Sequence, residues 1–449
     1  MTFSIIQKSQ LEGAQRIDAE YYQPEYLHAL RKLKSLKYKK LKDIAYITDG
    51  EHGSPIFDEN SGIKYYSAQH VKDFLIDSSS AKSISKTIDE KNKRSRLQVG
   101  DVLLSTVGTI GFAGLVTNEI LPANIDRHVA RIALKEKTIT PEMLTIYLNS
   151  KYGKLQSMRE ATGNVQLNLF IDKIKEFVIP DLLKDSSTKI LFDEALDQLN
   201  ESKAYYQQAE DLLLEELGLT DFDQQNDLFS IVQYTHVITA NRNDAEYYQP
   251  KYLRLFEAMK KKNPKRLGDL VSISKGFEPG SEAYREEGKL FIRVSSLTKN
   301  GIVGGDQKHL NDELYQKLKG NFEPKVGEIL LTKDASPGIA YALKEQVEGI
   351  ISGGILKLKL KQKIDPEYLA LVMNSLVGQM QAERDAGGSV IAHWKPEQIK
   401  NVVIPILPDS VTGQIVNFVV KSHTARQKSK ELLAEAKRKV EEMIEKGGE

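Results

Sequence analysis

Apolar positions along this chain fall into two regimes that alternate twice. Short β-rich runs come first: Ile44-Ala-Tyr-Ile, Ile63-Lys-Tyr-Tyr, Val102-Leu-Leu-Ser and Val129-Ala-Arg-Ile-Ala-Leu, punctuated by Gly and Asp. That is the pattern of strands and turns. A helix is expected next, because Thr140-Pro141 places a capping side chain before a proline at the first helical position, ahead of EMLTIYLNSKYGKLQ. Asp365-Pro366 does the same later. A Gly-containing polar loop then leads to strand-like Phe177-Val-Ile-Pro, matched by Val402-Val-Ile-Pro.

The period then changes. Phe192, Ala195, Leu199, Ser202, Tyr206, Ala209 and Leu213 step by three and four, as do Ile415, Val419, Ser422, Arg426, Ser429, Leu433, Ala436, Val440 and Met443. Each is a heptad seam on a long helix, small or polar in its middle. Neither stripe is suited to solvent. Mutual antiparallel packing is the simplest way to bury both; the alternative is that each helix packs on its own globular body.

The alternation is a duplication. DAEYYQPEY at Asp18–Tyr26 returns as DAEYYQPKY at Asp244–Tyr252, 226 residues later. The register holds on both sides. Phe3-Ser-Ile pairs with Phe229-Ser-Ile, Arg16 with Arg242, Gly100-Asp-Val-Leu-Leu with Gly327-Glu-Ile-Leu-Leu, and Asn149-Ser150 with Asn374-Ser375. Each copy opens on a helix, Ala19–Leu36 in the first, whose end is basic: KLKSLKYKKLK at Lys32–Lys42 and KKKNPKRL at Lys260–Leu267. Such a patch suits phosphate or simply complements a helix dipole. The expected fold class is α+β: two pseudo-symmetric globular domains separated by an antiparallel pair of long helices. The expected boundaries are 1–183 for the first domain, 184–225 for the central helix, 226–409 for the second domain and 410–449 for the C-terminal helix.

Composition narrows the function classes. Charged residues are 28% and hydrophobic residues 40% of 449, an ordinary folded composition. No charged segment followed by an apolar run marks a signal peptide, and no apolar stretch approaches the ~18 residues of a membrane span. Cysteine is absent, which removes disulfides and thiolate chemistry and fits a reducing cytoplasm. The net charge is +1, so any nucleic-acid surface must be local. Catalytic patterns fail on inspection. Pro180-Asp181 with Glu201 and Lys203 has the lettering of a nuclease, but Glu201 and Lys203 lie in the heptad helix, where i and i+2 point apart. Gly108–Gly114 lacks the spacing and lysine of a phosphate-binding loop. The eight histidines show no paired-ligand spacing.

Residues Ile47–Lys72 (ITDGEHGSPIF…GIKYYSAQHVK) and Ile273–Leu297 (ISKGFEPGSEAY…KLFIRVSSL), with GDVLLSTVGTIG at Gly100–Gly111 and GEILLTKDASPG at Gly327–Gly338, make the chain recognisable. In their order, duplication and spacing it resembles the DNA-specificity subunit of type I restriction–modification systems over essentially its whole length. The resemblance implies that each globular body is a target-recognition domain reading one half of a split, asymmetric site on double-stranded DNA. It also implies that the long helices form a spacer docking two methyltransferase subunits, joined by motor-nuclease subunits. The chain itself would be non-catalytic and without cofactors; S-adenosylmethionine, Mg and ATP would belong to the partners. A helix of about 32 residues spans ~48 Å, or roughly 14 base pairs. The alternative is a pseudo-symmetric scaffold that binds protein.

Positions equal in both copies are then scaffold, and positions that differ inside equal frames are candidate readers. Three such loop pairs stand out: Glu51–Ser61 against Phe277–Glu287, Thr106–Ile110 against Lys333–Pro337, and Asn164–Asn168 against Ser389–His393. Side chains able to pair with base edges nominate His52, Ser67, Gln69, Thr109, Asn164, Gln166 and Asn168 in the first copy. In the second they nominate Arg293, Ser295, Lys333, Ser336, Ser389, His393 and Lys395. Within Lys91–Arg96, the cations Lys93, Arg94 and Arg96 suit phosphate.

Overall fold

The two copies fold into the same mixed helix-and-sheet unit twice. The computed structural model describes residues 3–9, 11, 16–135, 139–163, 166–183, 186–304, 307–387 and 392–447. It divides into one compact unit of residues 1–198 with 427–449 and a second of residues 199–426.

In the first unit, strands β1 (Ala45–Asp49), β2 (Val102–Ser105), β3 (Ala113–Leu115) and β4 (Val129–Leu134) form an antiparallel sheet in the order β1-β4-β2-β3. The second unit builds the same sheet from β5 (Val271–Lys275), β6 (Ile329–Thr332), β7 (Ala340–Ala342) and β8 (Ile355–Leu360), in the order β5-β8-β6-β7. The registers correspond: Ala45 lies opposite Leu134, and Val271 opposite Leu360, each number 226 greater. Each unit adds a parallel pair, Lys64–Tyr66 with Ala123–Ile125 and Leu290–Ile292 with Gly349–Ile351.

Helices α1 (Pro141–Asn149) and α2 (Pro366–Asn374) start as their sequences require. Thr140 Oγ1 accepts from Met143 N (3.2 Å), and an Asp365 carboxylate oxygen accepts from Glu367 N (2.8 Å). Each ends in an asparagine that clamps a strand edge. Asn149 accepts from Ala113 N (3.0 Å) and donates to Ala113 O (2.7 Å); Asn374 does the same to Ala340 (2.9 and 2.7 Å). In the first unit the same edge is also met by Phe74, whose N donates to Ala113 O (2.8 Å) and whose O accepts from Leu115 N (3.1 Å), so the buried backbone groups there are paired.

The identical DAEYYQP segments serve as framework. Arg16 pairs with Asp18, and Arg242 with Asp244. Tyr22 and Tyr248 donate from their hydroxyls to Arg16 O (3.0 Å) and Arg242 O (2.8 Å). Arg159 lies over the Tyr21 ring and Arg384 over Tyr247, at 3.6 and 4.9 Å from the centroids. The single opening helix expected over Ala19–Leu36 is instead a 3-10 turn, Ala19–Tyr22, then a helix, Pro24–Ser35. Proline disfavours helical geometry at Gln23 before it and is itself well placed to open the next helix.

The long helices are α3 (Ser186–Leu217) and α4 (Asp409–Lys446). Every seam position named above is buried except Arg426 and Met443, which are half-buried. Within the first unit, Ser429 Oγ donates to Ala195 O (2.7 Å) and Lys439 Nζ to Ser187 Oγ (3.5 Å), an antiparallel register. Within the second, Ser422 Oγ donates to Ser202 O (2.7 Å), and Tyr206, Ala209 and Leu213 share a core with Ile415 and Val419. Serine at these crossings lets two backbones approach while its hydroxyl finds a carbonyl. The helices also pack on the bodies: Leu433, Ala436 and Val440 join the core of Tyr147 and Phe177. Both modes of burial considered from the sequence therefore operate.

Candidate nucleic-acid interface

In each unit the loops that differ between copies converge on one ridge. In the first, Asn168 bridges to Val107 and Thr162, with Asn168 N donating to Thr162 O (2.7 Å) and Leu169 N to Thr106 O (2.8 Å). Thr106 N donates to His128 O (3.0 Å), and Arg127 N to Glu51 O (3.0 Å). Asp126 N donates to Tyr66 O (3.0 Å), which brings Ser67 alongside. In the second unit His393 bridges to Asp334 and Gly387, Trp394 N donates to Lys333 O (2.8 Å), and Lys333 N to Gly354 O (2.9 Å). Phe277 bridges to Ser352, and Ser352 N donates to Ile292 O (2.8 Å), beside Arg293. The backbone frame is common to both ridges while the side chains on it are not.

The nominated residues occupy this frame in different ways. His52 is 62% exposed, its Nε2 at 2.7 Å from Asp49 Oδ2. Ser67 N donates to His70 Nδ1 (2.9 Å), and Gln69 is exposed on the same turn. Thr109 and Gln166 are exposed; the half-buried Asn168 donates from Nδ2 to Gln166 O (3.1 Å). Asn164 and Ser389 lie outside the described residues. In the second unit Ser295, Ser336, His393 and Lys395 are exposed and Arg293 half-buried. Lys333 is only 12% exposed and is held against Asp334, whose other oxygen meets His393 Nδ1 at 2.7 Å. Burial pulls the Asp334 carboxyl upward, but hydrogen bonds and charge from Lys333 and His393 outweigh it and hold its pKa below the ordinary value. Trp394 is buried and anchors the loop from below.

The basic run is tied down. Lys93 pairs with Glu90 (2.7 Å), Arg94 with Asp49 (3.0 Å), and Arg96 with Glu90 (2.8 Å) and Asp89. Lysines of the Lys32–Lys42 patch also find partners: Lys40 and Lys42 each reach Glu176 at 2.5 Å.

Sequence reading missed Asp126-Arg127-His128, which sits at the junction of the three loops. Its counterpart is Ser352-Gly353-Gly354. Different letters between matching apolar flanks, Ile125 with Ile351 and Val129 with Ile355, are the same signal that nominated the other loops.

Residues 259–434 match the family model described as the type I restriction modification DNA specificity domain. Residues 259–434 are thus similar to that DNA-specificity domain. Among curated proteins the chain is 32% identical over 123 residues to the type I restriction enzyme EcoBI specificity subunit of Escherichia coli. That stretch is 27% of this chain, and the chain spans 26% of the relative's length. Among solved structures it is similar to a type I restriction–modification S subunit from M. genitalium (12% identity, TM-score 0.37, covering 92% of this chain and 95% of that one). It is also similar to the HsdS subunit from Thermoanaerobacter tengcongensis (13%, 0.29, covering 92% and 96%). No described helix is long and apolar enough to cross a membrane.

Proposed function

We propose that this chain is the DNA-specificity subunit of a type I restriction–modification complex acting in the cytoplasm. Each unit reads one half of a split, asymmetric site through its ridge of divergent loops. The long helices set the unread gap and dock two methyltransferase subunits, to which motor-nuclease subunits are added. The chain catalyses nothing itself; S-adenosylmethionine, Mg and ATP act on the partners. The observation that carries this reading is the duplicated backbone ridge bearing different side chains: one support, two messages. The ion pairs of Lys93, Arg94 and Arg96 are compatible with it. The Lys93–Glu90 pair is exposed on both sides and worth ~0–1 kcal/mol, so a phosphate can replace that carboxylate at little cost, whereas Arg96 stays tied to the buried Asp89.

The test is duplex binding by the full chain with its methyltransferase partner across a salt series. Each phosphate contact steepens the fall of affinity with salt by a slope of about 0.9, and one bipartite sequence should outcompete scrambled duplex. A protein-binding scaffold would give flat, sequence-indifferent binding, and that result overturns the proposal.

A further inference from the structure

We infer that Arg127 is a guanine-reading residue of the first unit, aimed by His128, which is itself locked by Asp126. This rests on the reading of the chain as a DNA-specificity subunit. Arg127 is exposed at the junction of the divergent loops, its backbone fixed by the bond from Arg127 N to Glu51 O (3.0 Å). Its guanidinium differs from its neighbours'. Arg94, Arg96 and Arg131 each meet a carboxylate, at 3.0, 2.8 and 2.6 Å. Among the described residues no ion pair holds Arg127. Instead Arg127 Nε donates to His128 Nε2 (3.2 Å). A ring that accepts at Nε2 carries its proton on Nδ1, and that nitrogen faces Asp126 Oδ2 at 2.9 Å. The other carboxylate oxygen, Oδ1, accepts from His128 N (2.8 Å). Asp126 thus fixes both the tautomer and the ring plane.

The relay engages Arg127 through Nε, and among the described residues neither terminal nitrogen of this exposed side chain is taken by a partner. The two form the planar fork that matches guanine O6 and N7 in the major groove. A lysine at this place would supply charge without the fork. The second unit has no equivalent. Gly353 and Gly354 stand where Arg127 and His128 do, and a Cβ on Gly354 would lie 2.7 Å from Val294 Cγ2. The fork therefore serves one half-site only. Asp126 and His128 are positioning residues: they act on DNA only through Arg127.

The test is selection from a randomised duplex library by the tagged full chain, recovered in the complex it forms in its own cell. Wild type should enrich a bipartite site with a guanine in one half. Arg127→Lys should lose that guanine, by about 5- to 150-fold in discrimination, with the other half-site and the salt dependence unchanged. His128→Leu should blur the same position. His128→Gln, which keeps an acceptor for Arg127 Nε, should restore it, a rescue that a merely structural role would not give. If wild type enriches a bipartite site and Arg127→Lys leaves every position intact, or weakens all sequences alike as a phosphate contact would, this inference is overturned and the function is not. If wild type enriches nothing, both fall.

Discussion

The asparagine clamp gives the most quantitative test of the duplicated scaffold. Asn149 is 1% exposed and Ala113, its partner on the strand edge, is 0% exposed. Replacing Asn149 by Ala removes the acceptor from Ala113 N (3.0 Å) and the donor from Ala113 O (2.7 Å) together. Ala113 N is left without a partner while Ala113 O keeps Phe74 N (2.8 Å), so the variant should lose about 1–3 kcal/mol of stability. Asn149→Asp keeps an acceptor for the N–H but turns a carboxylate oxygen toward the carbonyl, so it should not recover the loss. The matched variant Asn374→Ala breaks the corresponding bonds of 2.9 and 2.7 Å to Ala340. Asn374 is half-buried, so its loss should fall at the lower end of the range. Urea unfolding followed by far-UV circular dichroism gives the stability, and amide hydrogen exchange locates it: Ala113 should lose protection in the first variant and Ala340 in the second. The single tryptophan, Trp394, lies buried in the second unit, so its fluorescence reports Asn374→Ala directly. A loss below about 0.5 kcal/mol for Asn149→Ala, within the range of an inconsequential surface change, would refute the clamp.

Other expectations follow from the same contacts. Burial holds the His70 pKa below the ordinary histidine value, against the opposing pull of Asp77 and Asp126. The unfolded chain therefore takes up that proton first as pH falls below ~6.5, so the stabilising effect is complete above that pH and is lost on acidification. His70→Gln should flatten the decline in urea midpoint between neutral and mildly acidic pH, and identical slopes would show that His70 does not contribute. Inserting about four residues in register into both α3 and α4 adds ~6 Å of helix; the unread gap of the selected site should lengthen with both half-sites unchanged. Exchanging residues 42–180 for another recognition domain should alter one half-site, and a change in both would contradict independent reading.

Much of the fold is legible in the sequence because burial on one face leaves a period. Val102–Ser105 and Val129–Leu134 are strands where their short β-rich runs place them, the first buried on both faces, and the heptad positions from Phe192 to Leu213 are buried as their spacing requires. Thr140 and Asp365 cap their helices because capping depends on a few neighbouring residues. Contacts between distant segments leave no such period. Nothing local announces that Lys93 meets Glu90 while Arg94 crosses to Asp49, or that Lys333 is nearly covered. Comparing the copies found three loops of each ridge. Divergence at Asp126–His128 is less conspicuous, because the turn abuts the apolar strand Val129–Leu134. The break at Gln23 was visible in Pro24, and the helical pattern around it obscured the stop. Division of each long helix between two compact units is a property of contacts, which a seam running unbroken through both halves does not reveal.

The central claim is that one chain carries two independent readers on a common scaffold. Mapping modified adenines in DNA methylated by the complex containing this chain tests it most directly. The account predicts two short constant blocks of different sequence separated by a fixed run of unconstrained bases. A single uninterrupted block, two identical blocks, or methylation without sequence preference would contradict it.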